Sequence, residues 1–149
     1  MPRYLTAIHT AWSPTEAFGF MADVGNFVRW DPGVESVSVV AGDGPGPDAS
    51  YDVVVRAGPR RLVLRYVVVE WEAPHRLLLV AETRTLRSVD EIGVQPADGG
   101  ALVTYDATLD LRGVLSVGNP LLGLVFRRVG DRAASGLRRV LDGEPWVSP

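Results

Sequence analysis

The 149-residue sequence contains no cysteine and no lysine. Without cysteine the chain can form no disulfide bond, no thiolate metal site and no thiol nucleophile. Without lysine it can use neither a Schiff base nor a lysine general base. All 15 positive charges are arginines, and 18 acidic residues give a net charge of -3. Because a nucleic-acid-binding surface usually needs a concentrated basic stripe, this scattered and acidic balance predicts no nucleic-acid partner.

Long hydrophobic runs are also missing. No segment reaches the roughly 18 apolar residues of a transmembrane helix, and residues 1–4 lack the apolar core of a secretory signal. We therefore expect a cytoplasmic protein with no transmembrane segment. The two histidines, His9 and His75, are far apart and lack ligand spacing, so we expect no metal. No P-loop, GxGxxG or Ser-His-Asp pattern is present, and we expect no cofactor.

Hydrophobic residues make up 46% of the chain and charged residues 22%, which is an ordinary globular composition. With a length near 150, this predicts a single domain over residues 1–149. Residues 3–12 alternate loosely and predict a strand. Ser13-Pro14 then begins a helix, with Glu16 in a capping-box position, and residues 27–30 form a second short helix. Period-two patterns predict six further strands, at 34–41, 51–57, 61–72, 76–82, 85–95 and 101–112.

The C-terminal segment returns to a helical period. Asn119-Pro120 is predicted to begin a helix of about 22 residues that ends at Asp142-Gly143. Gly130 and Gly136 inside it allow two interpretations, a tolerated loss of helix propensity or room for a bulky group against the helix. Its apolar stripe, predicted to pack along the sheet, consists of Leu122, Phe126, Val129, Ala133, Leu137 and Val140.

These elements predict an α+β fold. Consecutive strands joined by tight turns make a curved antiparallel sheet of about seven strands. The long C-terminal helix is the one element able to cover the apolar face of that sheet, and two short helices follow the first strand. A cavity is expected in the gap between sheet and helix, because a single helix cannot close a curved sheet.

Particular residues within this order resemble a known superfamily. They are Ser13-Pro14, Phe18, Asp23, Trp30-Asp31-Pro32 and Gly99-Gly100. The chain resembles the START/Bet v 1-like (SRPBCC) superfamily over nearly its whole length, most closely the polyketide cyclase/dehydrase and lipid-transport branch. The resemblance implies a helix-grip fold with a deep apolar pocket. Members of the superfamily carry lipids, hormones and quinones, and some cyclise or dehydrate polyketides, with no common catalytic motif to transfer.

Strand alternation predicts which side chains face that pocket. Tyr66 shares the apolar face of strand 61–72, and Tyr105 shares the apolar face of strand 101–112. Ser88 and Asp90 are polar members of the more apolar face of strand 85–95. We predict that Tyr66, Asp90 and Tyr105 form the polar end of one cavity. An acid on the inner face has two interpretations, a bulge that lets Asp90 reach water, or a ligand anchor or acid/base group.

Three further candidates are less strongly determined. The strand at 3–12 could bury its odd-numbered face, which would turn His9 inward, or the face of Ile8 and Trp12. Trp30 fits either core packing or the pocket mouth, and Phe126 lines the pocket only where the sheet bends away. The candidate catalytic residues are therefore Asp90, Tyr105 and His9. The candidate ligand-binding residues are Trp30, Tyr66, Ser88, Asp90, Tyr105 and Phe126.

Three functions fit this pattern. The first is binding of a hydrophobic small molecule, lipid-like or polyketide-like, in an internal cavity. The second is a polyketide aromatase/cyclase or dehydratase in which a polar pair moves protons. The third is a structural or regulatory module whose cavity is nearly filled by side chains. The size of the cavity and the polar groups at its base distinguish them.

Overall fold

The computed structural model describes residues 3–57, 59–112 and 120–143. Every predicted helix and strand is present, with ends that differ from the predicted ones by two residues or fewer. The elements are β1 (Arg3–Thr10), α1 (Pro14–Ala22), a 3-10 turn (Val24–Asn26), α2 (Phe27–Trp30), β2 (Val34–Ala41), β3 (Ser50–Ala57), β4 (Arg60–Glu72), β5 (Arg76–Glu82), β6 (Leu86–Ala97), β7 (Gly100–Leu111) and α3 (Pro120–Leu141).

The seven strands form one curved antiparallel sheet in the order β1-β7-β6-β5-β4-β3-β2. The first strand therefore lies beside the last, while β2 forms the other edge. This arrangement of one sheet and a long C-terminal helix confirms the predicted helix-grip α+β fold. A single domain over residues 1–149 stays a prediction, because that range extends past the described residues. None of the described helices is long and apolar enough to cross a membrane.

The capping box that begins α1 is confirmed. The Ser13 hydroxyl accepts a hydrogen bond from the Glu16 amide at 3.1 Å, and the Glu16 carboxylate accepts one from the Ser13 amide at 3.0 Å. These two bonds satisfy amides that would otherwise lack partners at a helix start. The helix then buries Phe18 and Met21 in the core, which fixes the position of the chain that continues into α2.

The C-terminal half of α3 packs into the core, but its N-terminal half does not. Ala133 and Leu137 are buried as predicted. Val129, predicted to pack on the sheet, is 43% exposed, and Phe126 is only partly buried. The physical reason is that this half of the helix borders an open space over the sheet. Asn119, the predicted cap, and the side chain of Leu122 lie outside the described part of the chain.

Gly130 and Gly136, two of the glycines inside α3, make room for bulky neighbours. A Cβ atom at Gly130 would lie 2.3 Å from Cδ2 of Tyr4, and one at Gly136 would lie 1.9 Å from the carbonyl oxygen of Trp30. Tyr4 also donates a 2.8 Å hydrogen bond to Asp131 of the same helix. Of the two interpretations of these glycines, close packing against the helix is therefore confirmed.

Hydrogen bonds tie the end of α3 to the first strand. The buried Thr10 hydroxyl donates to the Leu141 carbonyl at 2.7 Å, and the Trp12 indole donates to the Gly143 carbonyl at 2.9 Å. These bonds satisfy carbonyl groups at the helix end, which have no partner within the helix. Together with Gly136 they fix the C-terminal half of α3 firmly, whereas its N-terminal half stands over the cavity.

Candidate functional site

A cavity of about 210 Å³ lies between the sheet and α3. The cavity walls are mostly apolar. Three lining residues are partly exposed to solvent and mark the mouth of the cavity: Leu62, Val129 and Arg56. Apolar side chains from four strands and from α3 form the rest of the wall, including Val55, Leu64, Leu86, Leu109 and Phe126. A cavity of this size disfavours the third functional hypothesis, a module whose cavity is filled by side chains.

Four polar side chains form a continuous hydrogen-bonded chain at one end of the cavity. The Tyr66 hydroxyl donates to Ser88 Oγ at 2.9 Å, and Ser88 Oγ lies 3.4 Å from Asp90 Oδ1, to which it donates. From the other side, the Tyr105 hydroxyl donates to Asp90 Oδ2 at 2.6 Å. All four residues line the cavity. Both oxygens of the carboxylate therefore have a donor.

The register of the β6–β7 hairpin brings Asp90 and Tyr105 together. The two-residue turn at 98–99 pairs Asp90 with Ala107 and places Tyr105 diagonally across from the acid. Gly99 has a φ of 77°, a conformation that residues with a side chain rarely adopt. Because diagonal neighbours in a sheet are within reach of long side chains, the phenol can contact the carboxylate. Ala107, opposite Asp90, is too small to fill the space beside it.

A small residue between Tyr66 and Ser88 leaves room for the two side chains to meet. Tyr66 on β4 pairs with Ala81 on β5, and Ala81 pairs in turn with Ser88 on β6. The methyl group of Ala81 lies between the two polar residues on the same face of the sheet and leaves the cavity side open. The phenol therefore reaches across one strand to the serine.

Burial dominates the electrostatics of Asp90. The residue is 3% exposed, and burial raises its pKa from 3.8 to about 6. The hydrogen bonds from Tyr105 and Ser88 favour the ionised form and lower this pKa, but burial has the larger effect. The negative charge of nearby Asp31 raises this pKa further. Burial, aided by the charge of Asp90, also raises the pKa of Tyr66 and of Tyr105 well above the usual value of a phenol. Both tyrosines therefore remain protonated donors, while Asp90 changes charge near neutral pH.

Asp31 is a second carboxyl group on the cavity, and the sequence did not indicate it as a site residue. Its Oδ1 accepts a 2.9 Å hydrogen bond from the Gly33 amide, and burial raises its pKa. It lies just after α2, where no strand alternation indicates the direction of a side chain. The signal that could have revealed it is its place in the Trp30-Asp31-Pro32 segment, which lies within residues 13–33, the most specific stretch of the family resemblance.

Most of the predicted ligand-binding residues come together around this cavity. Tyr66, Ser88, Asp90 and Tyr105 form the polar end, and Phe126 lines the wall. Parity reasoning missed Tyr4 and Arg56, which also line the cavity. Choosing the face of Ile8 as the inner face of β1 would have turned Tyr4 inward.

His9 and Trp30 do not join the site. His9 is exposed on the outer face of β1, where its Nε2 lies 2.9 Å from the Asp98 carbonyl. The strand buries Ile8 and Thr10 instead, and Trp12, two residues after its end, is buried as well. A pocket role for His9 is therefore wrong. Trp30 is 1% exposed and is not part of the cavity wall. Its ring packs edge-on against the ring of Tyr105, with centroids 5.2 Å apart, so the core-packing alternative is correct.

No group of three or more His, Asp or Glu side chains that could hold a metal ion occurs among the described residues. The polar end therefore consists of hydroxyl and carboxyl groups. Such groups can bind a polar atom of a ligand or transfer a proton.

A family model for polyketide cyclase / dehydrase and lipid transport matches residues 1–142. The fold is similar to that of a START superfamily protein from Mycobacterium smegmatis, with a TM-score of 0.76, 12% identity, and coverage of 93% of this chain and 96% of that one. It is also similar to a protein from Thermus thermophilus, TTHA0849, with a TM-score of 0.71, 18% identity, and coverage of 94% and 95%.

A third similar structure is the di-domain ARO/CYC StfQ from the steffimycin biosynthetic pathway. The TM-score is 0.70 at 13% identity, and the match covers 94% of this chain but 49% of StfQ. At these identities the structural likeness shows the fold alone. A comparison with curated proteins finds no sequence match.

Proposed function

The chain belongs to the polyketide cyclase / dehydrase and lipid transport family, and from this premise we propose that it binds a hydrophobic small molecule, lipid-like or polyketide-like, in the cavity between the sheet and α3. The observation that carries this proposal is the cavity of about 210 Å³, with apolar walls and a polar cluster at one end. Ligand pockets commonly combine a mainly apolar lining with a few polar groups that fix the orientation of the ligand.

The size of the cavity favours a compact ligand. Its volume of about 210 Å³ lies below the roughly 300–1,000 Å³ typical of pockets for drug-sized molecules. A ligand of about two fused rings, or a short branched chain, fits this space better than an extended one. The mouth between Leu62 and Val129 gives it a route from solvent.

Native mass spectrometry of the protein purified from its own host tests the proposal. We expect a bound small molecule that is lost from an Ala107→Phe variant, because Ala107 lines the cavity and a phenyl ring would fill it. Thr108→Phe is the matched control, since residue 108 lies on the opposite face of the same strand. Circular dichroism checks that both variants fold. If the native protein and both variants carry no ligand and bind no hydrophobic probe, the proposal is wrong.

A second candidate function is a polyketide aromatase/cyclase or dehydratase, and one observation favours it. Asp90 has a pKa of about 6 and accepts hydrogen bonds from the Tyr105 phenol and the Ser88 hydroxyl on the cavity, which suits a general acid or base near neutral pH. In this function Asp90 would move a proton on a substrate held against the apolar wall. Turnover that follows a pH profile with a midpoint near 6 and disappears in Asp90→Asn would support it over simple binding.

The absence of a nucleic-acid partner, of a metal and of a cofactor stays a prediction from the sequence, as does a cytoplasmic location. The catalytic assignment of Asp90 and Tyr105 likewise belongs to this proposal. Binding and catalysis use the same cavity, so the experiments that distinguish them must read affinity and turnover separately.

A further inference from the structure

The hydroxyl hydrogens at the polar end of the cavity are already used within the protein. A carboxylate can only accept hydrogen bonds, so Ser88 and Tyr105 must direct their hydrogens at Asp90. Ser88 must then accept from Tyr66, whose hydrogen points at the serine. The ionised acid thus fixes the direction of the whole chain.

The other polar groups of the cavity add no free donor at this end. The hydroxyl of Tyr4 donates to Asp131, and the amide of Gly33 donates to Oδ1 of Asp31. The guanidinium of Arg56 lies at the mouth, with its side chain 63% exposed, and pairs with Glu35. Among the described residues, the polar end therefore offers acceptors: oxygen lone pairs of the three hydroxyls and the two carboxyls, Asp31 and Asp90.

We infer that this end of the cavity selects a ligand carrying a hydrogen-bond donor, such as a phenol or an alcohol, over a ligand whose polar atoms only accept, such as an ether or a ketone. The inference rests on the proposed binding function and names its ligand class. A hydroxyl placed there donates to an oxygen that is already buried. An ether or ketone oxygen at the same place meets only other acceptors and loses its hydrogen bonds to water without replacement.

Three naphthalenes of similar size test this preference by equilibrium dialysis. They are 2-naphthol, which donates; 2-methoxynaphthalene, which only accepts; and 2-methylnaphthalene, which does neither. The measurement is made at about pH 8, where Asp90 is ionised and the naphthol is not. We expect 2-naphthol to bind at least about tenfold more tightly than 2-methoxynaphthalene, because hydrogen bonds to charged groups are the stronger ones.

Two variants test whether Asp90 sets the preference. In Asp90→Asn the amide nitrogen can donate to Tyr105 or Ser88, which frees a hydroxyl hydrogen to face the ligand. We expect the preference for 2-naphthol to fall to about twofold or less, or to reverse. In Tyr105→Phe the carboxylate keeps its charge and gains a free acceptor oxygen, so the preference should persist or increase. The second variant remains informative if the first fails to fold.

Tyr51→Phe is the matched control. Tyr51 is a buried tyrosine on β3 that does not line the cavity, and its hydroxyl has no hydrogen-bond partner among the described residues. Its loss should leave all three affinities unchanged. Equal binding of the donor and acceptor probes by the native protein, or an unchanged preference in Asp90→Asn, would overturn the inference alone. Failure of all three probes to bind would overturn the proposed binding function, and the inference with it.

Discussion

The Tyr105 hydroxyl donates a 2.6 Å hydrogen bond to Asp90 Oδ2, although the two residues are diagonal rather than directly paired in the β6–β7 register. The direct partner of Asp90 is Ala107, whose small side chain leaves the acid accessible to the phenol and to the cavity. A buried carboxylate with a donor on each oxygen costs less than an unpartnered one. This geometry explains how an acid is accommodated on the inner face of the sheet.

Removing the Tyr105 hydroxyl should destabilise the fold. In Tyr105→Phe, Asp90 loses its shortest hydrogen bond and remains buried. We expect the free energy of unfolding to fall by about 1–3 kcal/mol at about pH 8, measured by urea denaturation. Tyr51→Phe should change it little, because that hydroxyl has no partner among the described residues. Equal losses in the two variants would contradict an energetic role for the Tyr105–Asp90 bond.

The raised pKa of Asp90 predicts a pH-dependent stability. The pKa is 3.8 when the group is free and about 6 in the folded protein, so the folded state holds the proton more tightly. The stabilisation that the protonated Asp90 contributes is fully present below about pH 4 and is lost as the pH rises through about 6. The free energy of unfolding should fall by roughly 3 kcal/mol over this range. Unfolding curves of the native protein between these pH values measure the loss.

Asp90→Asn isolates this contribution from those of other groups. Asp31, Tyr66, Tyr105 and the more distant Asp106 face or influence Asp90, and all are kept in the variant. Because asparagine does not titrate, the native protein should lose stability relative to the variant as the pH rises from about 4 to about 7. A difference that stays constant over this range would argue against the raised pKa.

Alternation predicted the correct faces where a turn fixes the register. Alternation placed Asp90 and Tyr105 each on the more apolar face of its own strand, and the pairing that follows from the turn at 98–99 puts both side chains on one face of the sheet. No bulge interrupts that pairing, so the period of two holds from the turn to both residues. The polar end of the cavity was therefore predictable from the sequence.

Alternation failed where the pattern was ambiguous or did not apply. In β1 both faces carry apolar residues, and tertiary contacts from Thr10 and Trp12 to the end of α3 decide the choice. Asp31 follows a helix, where period two has no meaning. The helical period of α3 predicted an apolar stripe but not that the sheet would curve away from its N-terminal half, which leaves Val129 partly exposed.

Gly136→Ala should destabilise the packing of α3 against α2. The new Cβ would lie 1.9 Å from the carbonyl oxygen of Trp30, a backbone atom that cannot move independently. We expect a loss of about 1–3 kcal/mol or more in the free energy of unfolding. Gly19→Ala is the control, because nothing lies within 4 Å of its Cβ position in α1. There the higher helix propensity of alanine should stabilise the protein by about 0.5–1 kcal/mol, so a loss in both variants would contradict the role of close packing.

Phe126→Ala should enlarge the cavity at a modest cost in stability. A fully buried phenylalanine costs about 3–5 kcal/mol when truncated, but this one is only partly buried, so we expect about 1–2 kcal/mol. Because its ring lines the cavity wall, its loss should favour larger ligands. We expect the affinity of a three-ring hydroxylated probe to rise relative to that of 2-naphthol.

Leu124→Ala is the matched control for this change, since Leu124 lies on the same helix, is 49% exposed and does not line the cavity. In Leu124→Ala, the ratio of the affinities for the three-ring probe and 2-naphthol should equal that of the native protein. If Phe126→Ala leaves the ratio unchanged while the probes still bind, the ligand occupies a different part of the cavity. If the ratio shifts in Phe126→Ala alone, the wall at α3 sets the size limit, while the Asp90 cluster at the polar end sets the polar preference.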